Sequence, residues 1–279
     1  MAGKDQQLRS TSGSAGPGKH TATRQTLGRS HERLWSTGPN RIERTILLWR
    51  AIVIAIRTER YYSDYYADTL VPADADDAPV ALLWHGITPN TRAVMRPLAV
   101  ALATRGAIVI VPDWSPTSED GGRTALQASV DWTVERARDL GTPNRRCLIG
   151  WSRGARAALG YVLDRPHSPF QRVAGLAGQY AIPIATASRP PLELAKERSS
   201  ARVLLLHGTR DTILPFDGSQ RLHDVLREAG TASEILAVDT DHAGVILTRF
   251  DEELQVCLPE RSLTAGERAT LDAIGRFVF

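Results

Sequence analysis

Between Arg145 and Tyr161 the chain reads RRCLIGWSRGARAALGY, placing a single serine, Ser152, between Gly150 and Gly154. An apolar run leads in and an alanine-rich stretch follows. A G-x-S-x-G pentapeptide between a strand and a helix holds its serine in a sharp turn and lifts the hydroxyl above the end of the strand. The helix that starts behind it turns free N–H groups and the positive end of its dipole toward the same point, so an oxyanion formed at Ser152 would meet the N–H of Arg153.

A serine hydroxyl is a weak nucleophile and needs a base. Of the seven histidines, His20 and His31 lie in a polar N-terminal stretch, and His85 and His207 sit in HG pairs at strand ends. His167 follows a proline in a loop, and His223 lies on a polar helix face. That leaves His242, in VDTDHAGV after a late strand, as the candidate base. The base in turn needs an acid to fix its tautomer. Asp211, in the loop after ARVLLLHG, completes the chain order Ser–acid–His. Asp239 and Asp241 are too near His242 in sequence to orient it easily. Asp113, after an earlier strand, is the other competitor.

The surrounding pattern supplies elements to carry these residues. PVALLWHG, AIVIVPD, RRCLIGWS, RVAGLAG, ARVLLLHG and SEILAVD are short, continuous apolar runs, the pattern of strands buried on both faces. RPLAVALATRG, TALQASVDWTVERARDLG, RGARAALGYVLDR and residues 218–229 and 264–278 read as helices. Such alternation implies a mostly parallel sheet covered by helices on both sides. YYSDYYADTLVP reads as an edge strand or hairpin. Neither a G-x-G-x-x-G after the first strand nor a G-x-x-x-x-G-K-[ST] occurs, which disfavours a dinucleotide or nucleotide fold.

Three regions are expected: a basic, disordered or loosely ordered tail over 1–40, an N-terminal helix over 41–60 docked on the body, and a catalytic body over 61–279. Residues 1–60 hold 11 Lys/Arg against 4 Asp/Glu, so the rest, with 23 against 27, is mildly acidic despite a net charge of +3. A nucleic-acid surface on the body is therefore not expected. The apolar stretch 46–56 is broken by Arg50 and is too short to span a bilayer, which takes about 20 residues. Peripheral attachment through 41–60 is the minority reading. The two cysteines, Cys147 and Cys257, have no metal-type spacing. Their usage fits a reducing compartment, and the cytoplasm is the expected location.

These segments together resemble the α/β-hydrolase fold, and within it the small carboxylesterase and dienelactone-hydrolase-like group, over residues 61–279. VALLWHG resembles the strand before the oxyanion loop, SVDWTVERARDLGTPNRRCLIGWSRGARAAL the helix, strand and elbow of the nucleophile, and VLLLHGTRDTILPFDGSQRLHDVL the acid-bearing segment. The resemblance implies a serine hydrolase acting on carboxylic esters, with Ser152, Asp211 and His242 catalytic and no metal or cofactor. Many such esterases carry HGGG where this chain has HGITPNT. The second oxyanion donor is then expected at the N–H of Ile87, or of Thr88 if the altered loop shifts it. Only about 30 residues separate RVAGLAG from ARVLLLHG, too few for a large cap. An open site is expected, with Gln179, Tyr180 and Ile182 near its rim and Trp151 beside the substrate, suited to short-acyl or polar small-molecule esters or amides. The same residues would also serve for a lactone or for acyl transfer, and a non-catalytic ligand-binding member of the fold is the alternative outside enzymology.

Overall fold

The computed structural model describes residues 53–279, apart from 141, 143, 144 and 261. The expected tail over 1–40 and the 41–52 part of the expected helix lie outside the described residues.

Eight strands form one sheet in the order β1-β2-β4-β3-β5-β6-β7-β8. They are β1 (Ile54–Tyr62), β2 (Tyr65–Pro72), β3 (Val80–Trp84), β4 (Ile108–Pro112), β5 (Arg146–Trp151), β6 (Arg172–Leu176), β7 (Arg202–Gly208) and β8 (Ser233–Val238). From β4 through β8 all pairings are parallel. The β1–β2 hairpin is antiparallel, and β2 pairs antiparallel with β4.

The parallel strands read as unbroken apolar runs because both of their faces are covered. Alternate residues go to opposite cores. On one face, Val80, Leu82, Trp84, Val203 and Leu205 pack under three helices, α2 (Arg123–Asp139), α3 (Arg153–Leu163) and α5 (Asp217–Glu228). On the other, Ala81, Leu83, Leu204 and Leu206 pack under α1 (Arg96–Thr104) and α6 (Ala265–Val278). A short helix, α4 (Pro191–Leu194), lies between β6 and β7. Burying each Leu or Val side chain fully contributes roughly 1.5–3 kcal/mol. Cys147 is part of this core, and burial pushes its thiol up to about 12.

The chain leaves β3 for β4 on one side and returns to β5 on the other, so the strand order reverses around β3. In open α/β sheets, ligands bind outside the carboxyl ends of the strands at such a reversal. Here the segments after β3 and β5 are HGITPNT and the Ser152 turn.

The helix expected over 41–60 does not extend into the described residues. Residues 54–60 belong to β1, in register with β2 from Ile54 opposite Pro72 to Arg60 opposite Tyr66. Two features account for this. The apolar stretch is β-branched (Ile52, Val53, Ile54, Ile56), which favours extended backbone. The Ser63–Asp64 turn also brings a ready partner strand back alongside it. A second departure is a small antiparallel ribbon, β9 (Thr248–Asp251) with β10 (Val256–Pro259), between His242 and α6.

Candidate active site

At the end of β5 the backbone of Ser152 takes φ 56° and ψ −119°, a left-handed region that costs a non-glycine residue strain. Its N–H donates to Leu176 O at 2.9 Å, tying the turn to the end of β6. The flanking glycines are steric necessities. A Cβ on Gly150 would lie 2.1 Å from Gly154 O, and one on Gly154 would lie 2.3 Å from both Trp84 O and His85 O. Helix α3 can therefore start against β3 only if these two positions are bare.

The N–H of Arg153 is the first of α3, where no intrahelical acceptor exists. Across the crevice, Ile87 is exposed in the loop after β3. Among the described residues, neither N–H has an acceptor, so both are free to receive one. The loop that carries Ile87 is pinned by His85, which is fully buried. Trp114 N–H donates to its Nε2 at 3.3 Å, so Nδ1 carries the proton and faces Gly86 O at 3.1 Å and Thr91 Oγ1 at 3.2 Å. Burial, aided by the nearby Arg92 charge and opposed by the Gly86 bond, lowers this imidazole to about 4, so it is neutral at physiological pH.

Asp211, after β7, has a side chain with no solvent exposure. His242 Nδ1 lies 2.7 Å from its Oδ2. His207 Nε2 lies 3.2 Å from the same oxygen, and the N–H groups of Ile213 and Leu214 donate to Oδ1 at 2.9 Å each. Burial alone would raise this carboxyl. The bonds from His207, His242 and the Leu214 N–H outweigh it and hold the group well below the usual carboxylate range. With Nδ1–H committed to Asp211, the Nε2 of His242 is the free basic nitrogen.

His242 is held from two sides. The N–H groups of Ala243 and Gly244 donate to Asp241 Oδ1 at 3.0 and 2.7 Å, shaping its turn. Trp151 Nε1 donates to the His242 carbonyl at 2.8 Å, and the two rings lie 5.3 Å apart. Trp151, expected beside the substrate, thus links the serine turn to the histidine loop. Among the described residues no hydrogen bond joins Ser152 to His242. Bonds of this kind are often long before substrate arrives.

The competing acids are engaged elsewhere. Asp113 is ion-paired with Arg92, Asp239 with Arg210 at 2.9 Å, and Asp241 shapes the turn described above.

The expected rim is placed unevenly. Ile182 is exposed and Gln179 half-buried. Gln179 lines a small cleft of about 190 Å³ with Leu192, Pro215 and Gly218. Tyr180 touches the same cleft but, against expectation, is buried in the core, 1% exposed. Its ring fills the space over Gly175 and Gly178, where an added Cβ would come within 2.3 and 2.4 Å of its hydroxyl. Sequence reasoning also passed over His207, which is fully buried. Its Nδ1 lies 2.8 Å from Ser219 Oγ and its Nε2 2.9 Å from Leu214 O, so Nε2 carries the proton and aims it at Asp211 as well. The i,i+4 spacing of His207 and Asp211 across a strand end was the available signal.

A sheet of this order, with a strained serine between β5 and α3, is an α/β-hydrolase fold. Residues 114–245, which include Ser152, Asp211 and His242, match the Phospholipase/Carboxylesterase family. Among solved structures, the chain is similar to a protein assigned as a dienelactone hydrolase from Klebsiella pneumoniae subsp. pneumoniae MGH 78578, at 19% identity and TM-score 0.63, over 81% of this chain and 98% of that one. It is also similar to Thermogutta terrifontis esterase 2, at 17% identity and TM-score 0.64 in a form phosphoramylated by tabun, over 80% and 93% of the chains. With propionate bound, the same esterase matches at 16% and 0.61, again over 80% and 93%. None of the curated proteins matches the sequence. Among the described residues no helix is long and apolar enough to cross a membrane, and no cluster of ligands suits a metal ion.

Proposed function

We propose that the protein is a serine hydrolase that cleaves small carboxylic esters through an acyl-enzyme on Ser152. The observation that carries this is the fully buried Asp211 carboxylate bonded at 2.7 Å to His242 Nδ1. It fixes the imidazole with its basic Nε2 free, on the strand-end side of the sheet where Ser152 stands.

In this reading His242 removes the Ser152 proton as Oγ attacks the ester carbonyl. The imidazolium so formed is stabilised by Asp211, which keeps its charge. The carbonyl oxygen, now anionic, accepts from the N–H groups of Arg153 and Ile87, each such donor being worth about 3 kcal/mol in the transition state. His242 then returns the proton to the departing alkoxide. Water, activated by the same imidazole, releases the acid. The short segment between β6 and β7 leaves the site open, which suits short-acyl esters, and propionate bound to the Thermogutta esterase is consistent with that size.

The test is Ser152→Ala assayed with 4-nitrophenyl esters of short acids, beside labelling of the unmodified protein by a fluorophosphonate. Turnover should fall by about 10⁶-fold and labelling should be confined to Ser152. Wild-type turnover in the variant defeats the proposal.

A further inference from the structure

Arginines in the body of the protein that are partly buried are generally matched. Arg92 pairs with Asp68 and Asp113, Arg136 with Glu59, and Arg165 donates to Tyr161 O and Thr186 O. Two on the first turns of α3 break this pattern. Arg153 and Arg156 are both half-buried, and among the described residues neither has an acidic partner. The Nε–H of each is buried and has no acceptor among the described residues. Among the described residues, the one bond either side chain makes is a long contact of 3.4 Å from Arg153 Nη2 to Pro116 O. Burial, reinforced by the neighbouring Arg153 charge, lowers Arg156 from the ordinary arginine range, so the two cations feel each other.

Leaving a guanidinium desolvated and unpaired is unfavourable, and a second like charge beside it adds to the cost. The location gives that cost a use. Arg153 immediately follows Ser152 and reaches under the loop after β4. That loop abuts the segment after β6, where a Cβ on Gly121 would touch Ala185 at 3.0 Å and Arg123 Nε donates to Ala185 O at 2.7 Å. The same segment is seated on α3 by Thr186 Oγ1 donating to Ala157 O at 2.9 Å. Arg153 thus stands at the side of the serine where two loops meet, with Arg156 one turn further along α3.

We propose that Arg153 and Arg156 bind an oxyanion carried by the substrate, so that the preferred esters bear a second, negatively charged group such as a carboxylate. This rests on the hydrolase reading above and specifies its substrate class. An oxyanion reaching the half-exposed ends of the two guanidinium groups would balance both charges, and guanidinium–carboxylate bonds are among the stronger ones.

The test compares matched ester pairs on the full chain. The anion sits on the acyl side in mono-4-nitrophenyl succinate, set against 4-nitrophenyl pentanoate. It sits on the alcohol side in 3-acetoxybenzoate, set against phenyl acetate. One anionic ester of the two should be favoured in kcat/KM by about ten- to a hundredfold, with the preference shrinking as salt is added. Arg156→Gln should bring that ratio toward unity while Arg156→Lys retains part of it. The ratio is internal to each variant, so a partly misfolded fraction does not alter it. Turnover of the neutral esters with no preference for either anionic one overturns this inference and leaves the hydrolase reading intact. If no ester is turned over, the hydrolase reading fails, and calorimetric titration of Ser152→Ala with succinate decides the arginine site separately. Binding weakened by Arg156→Gln supports the site, and no heat of binding refutes it.

Discussion

Asp211→Asn is the substitution that most sharply separates a positioned imidazole from a surface histidine. The carboxylate accepts four hydrogen bonds. Ring N–H groups of His242 and His207 point at Oδ2, and two backbone N–H groups point at Oδ1. Asparagine has one oxygen and one NH₂. If the NH₂ replaces Oδ1, it faces the N–H groups of Ile213 and Leu214, which cannot turn away. The lower-energy choice puts the oxygen there and the NH₂ toward the two imidazoles. His242 must then accept at Nδ1, so its proton moves to Nε2 and that nitrogen can no longer take a proton from Ser152 in the proposed reaction. A serine hydrolase that keeps its geometry but carries the wrong tautomer loses about 10⁴ in kcat, equivalent to roughly 5 kcal/mol of transition-state stabilisation. His207 must switch too, and its Nε2 then no longer donates to Leu214 O, so a part-buried carbonyl loses its donor at a cost of about 1 kcal/mol. The assay is kcat on a short 4-nitrophenyl ester together with thermal unfolding of the same preparation. A variant within tenfold of the parent in kcat would refute the tautomer argument, because no arrangement of one amide satisfies both pairs of donors.

Further outcomes are expected elsewhere in the molecule. Gly154→Ala places a methyl 2.3 Å from two backbone carbonyls of the β3 end; overpacking of this kind costs about 1–3 kcal/mol, a fall in Tm of roughly 2–12 °C for a body of this size. Gly218→Ala is the control for it, since its Cβ would be 3.8 Å from the nearest atom, Gly178 O, and should leave the melting curve nearly unchanged. His207→Leu removes one donor from Asp211 and should lower kcat/KM by about tenfold, with His207→Gln, which keeps an N–H donor, recovering part of the loss; equal losses in the two would mean that bulk, not the bond, matters. His85 is neutral when folded, its imidazole lowered to about 4 from 6.5. Its contribution to stability is therefore complete above about pH 6.5 and is lost as pH falls toward 4. Denaturant midpoints measured across that interval should decline, and His85→Gln, whose carbonyl can still accept from Trp114 N–H, should flatten the decline.

How much of this was legible in the residues alone depends on the range over which each feature is determined. The parallel strands and the serine turn are local. A run such as VALLW has no polar face to expose, and Gly150 and Gly154 announce a contact that no side chain could survive. The candidate acid and base were placed in loops after strands, and the coordinates bring His242 and Asp211 into contact. Features set by partners distant in sequence were misread or missed. The Ile54–Tyr62 segment is apolar enough for either a helix or a strand, and the decision falls to its pairing with β2. Tyr180 looked like a rim residue because nothing near it in sequence states that Gly175 and Gly178 leave a hole of its size. His207 is a support for Asp211 only because α5 brings Ser219 against β7. The unmatched state of Arg156 is of the same kind, since charge pairing is settled across loops rather than along the chain. Two neighbouring half-buried arginines with no acidic partner among the described residues direct attention to a group the chain itself does not supply.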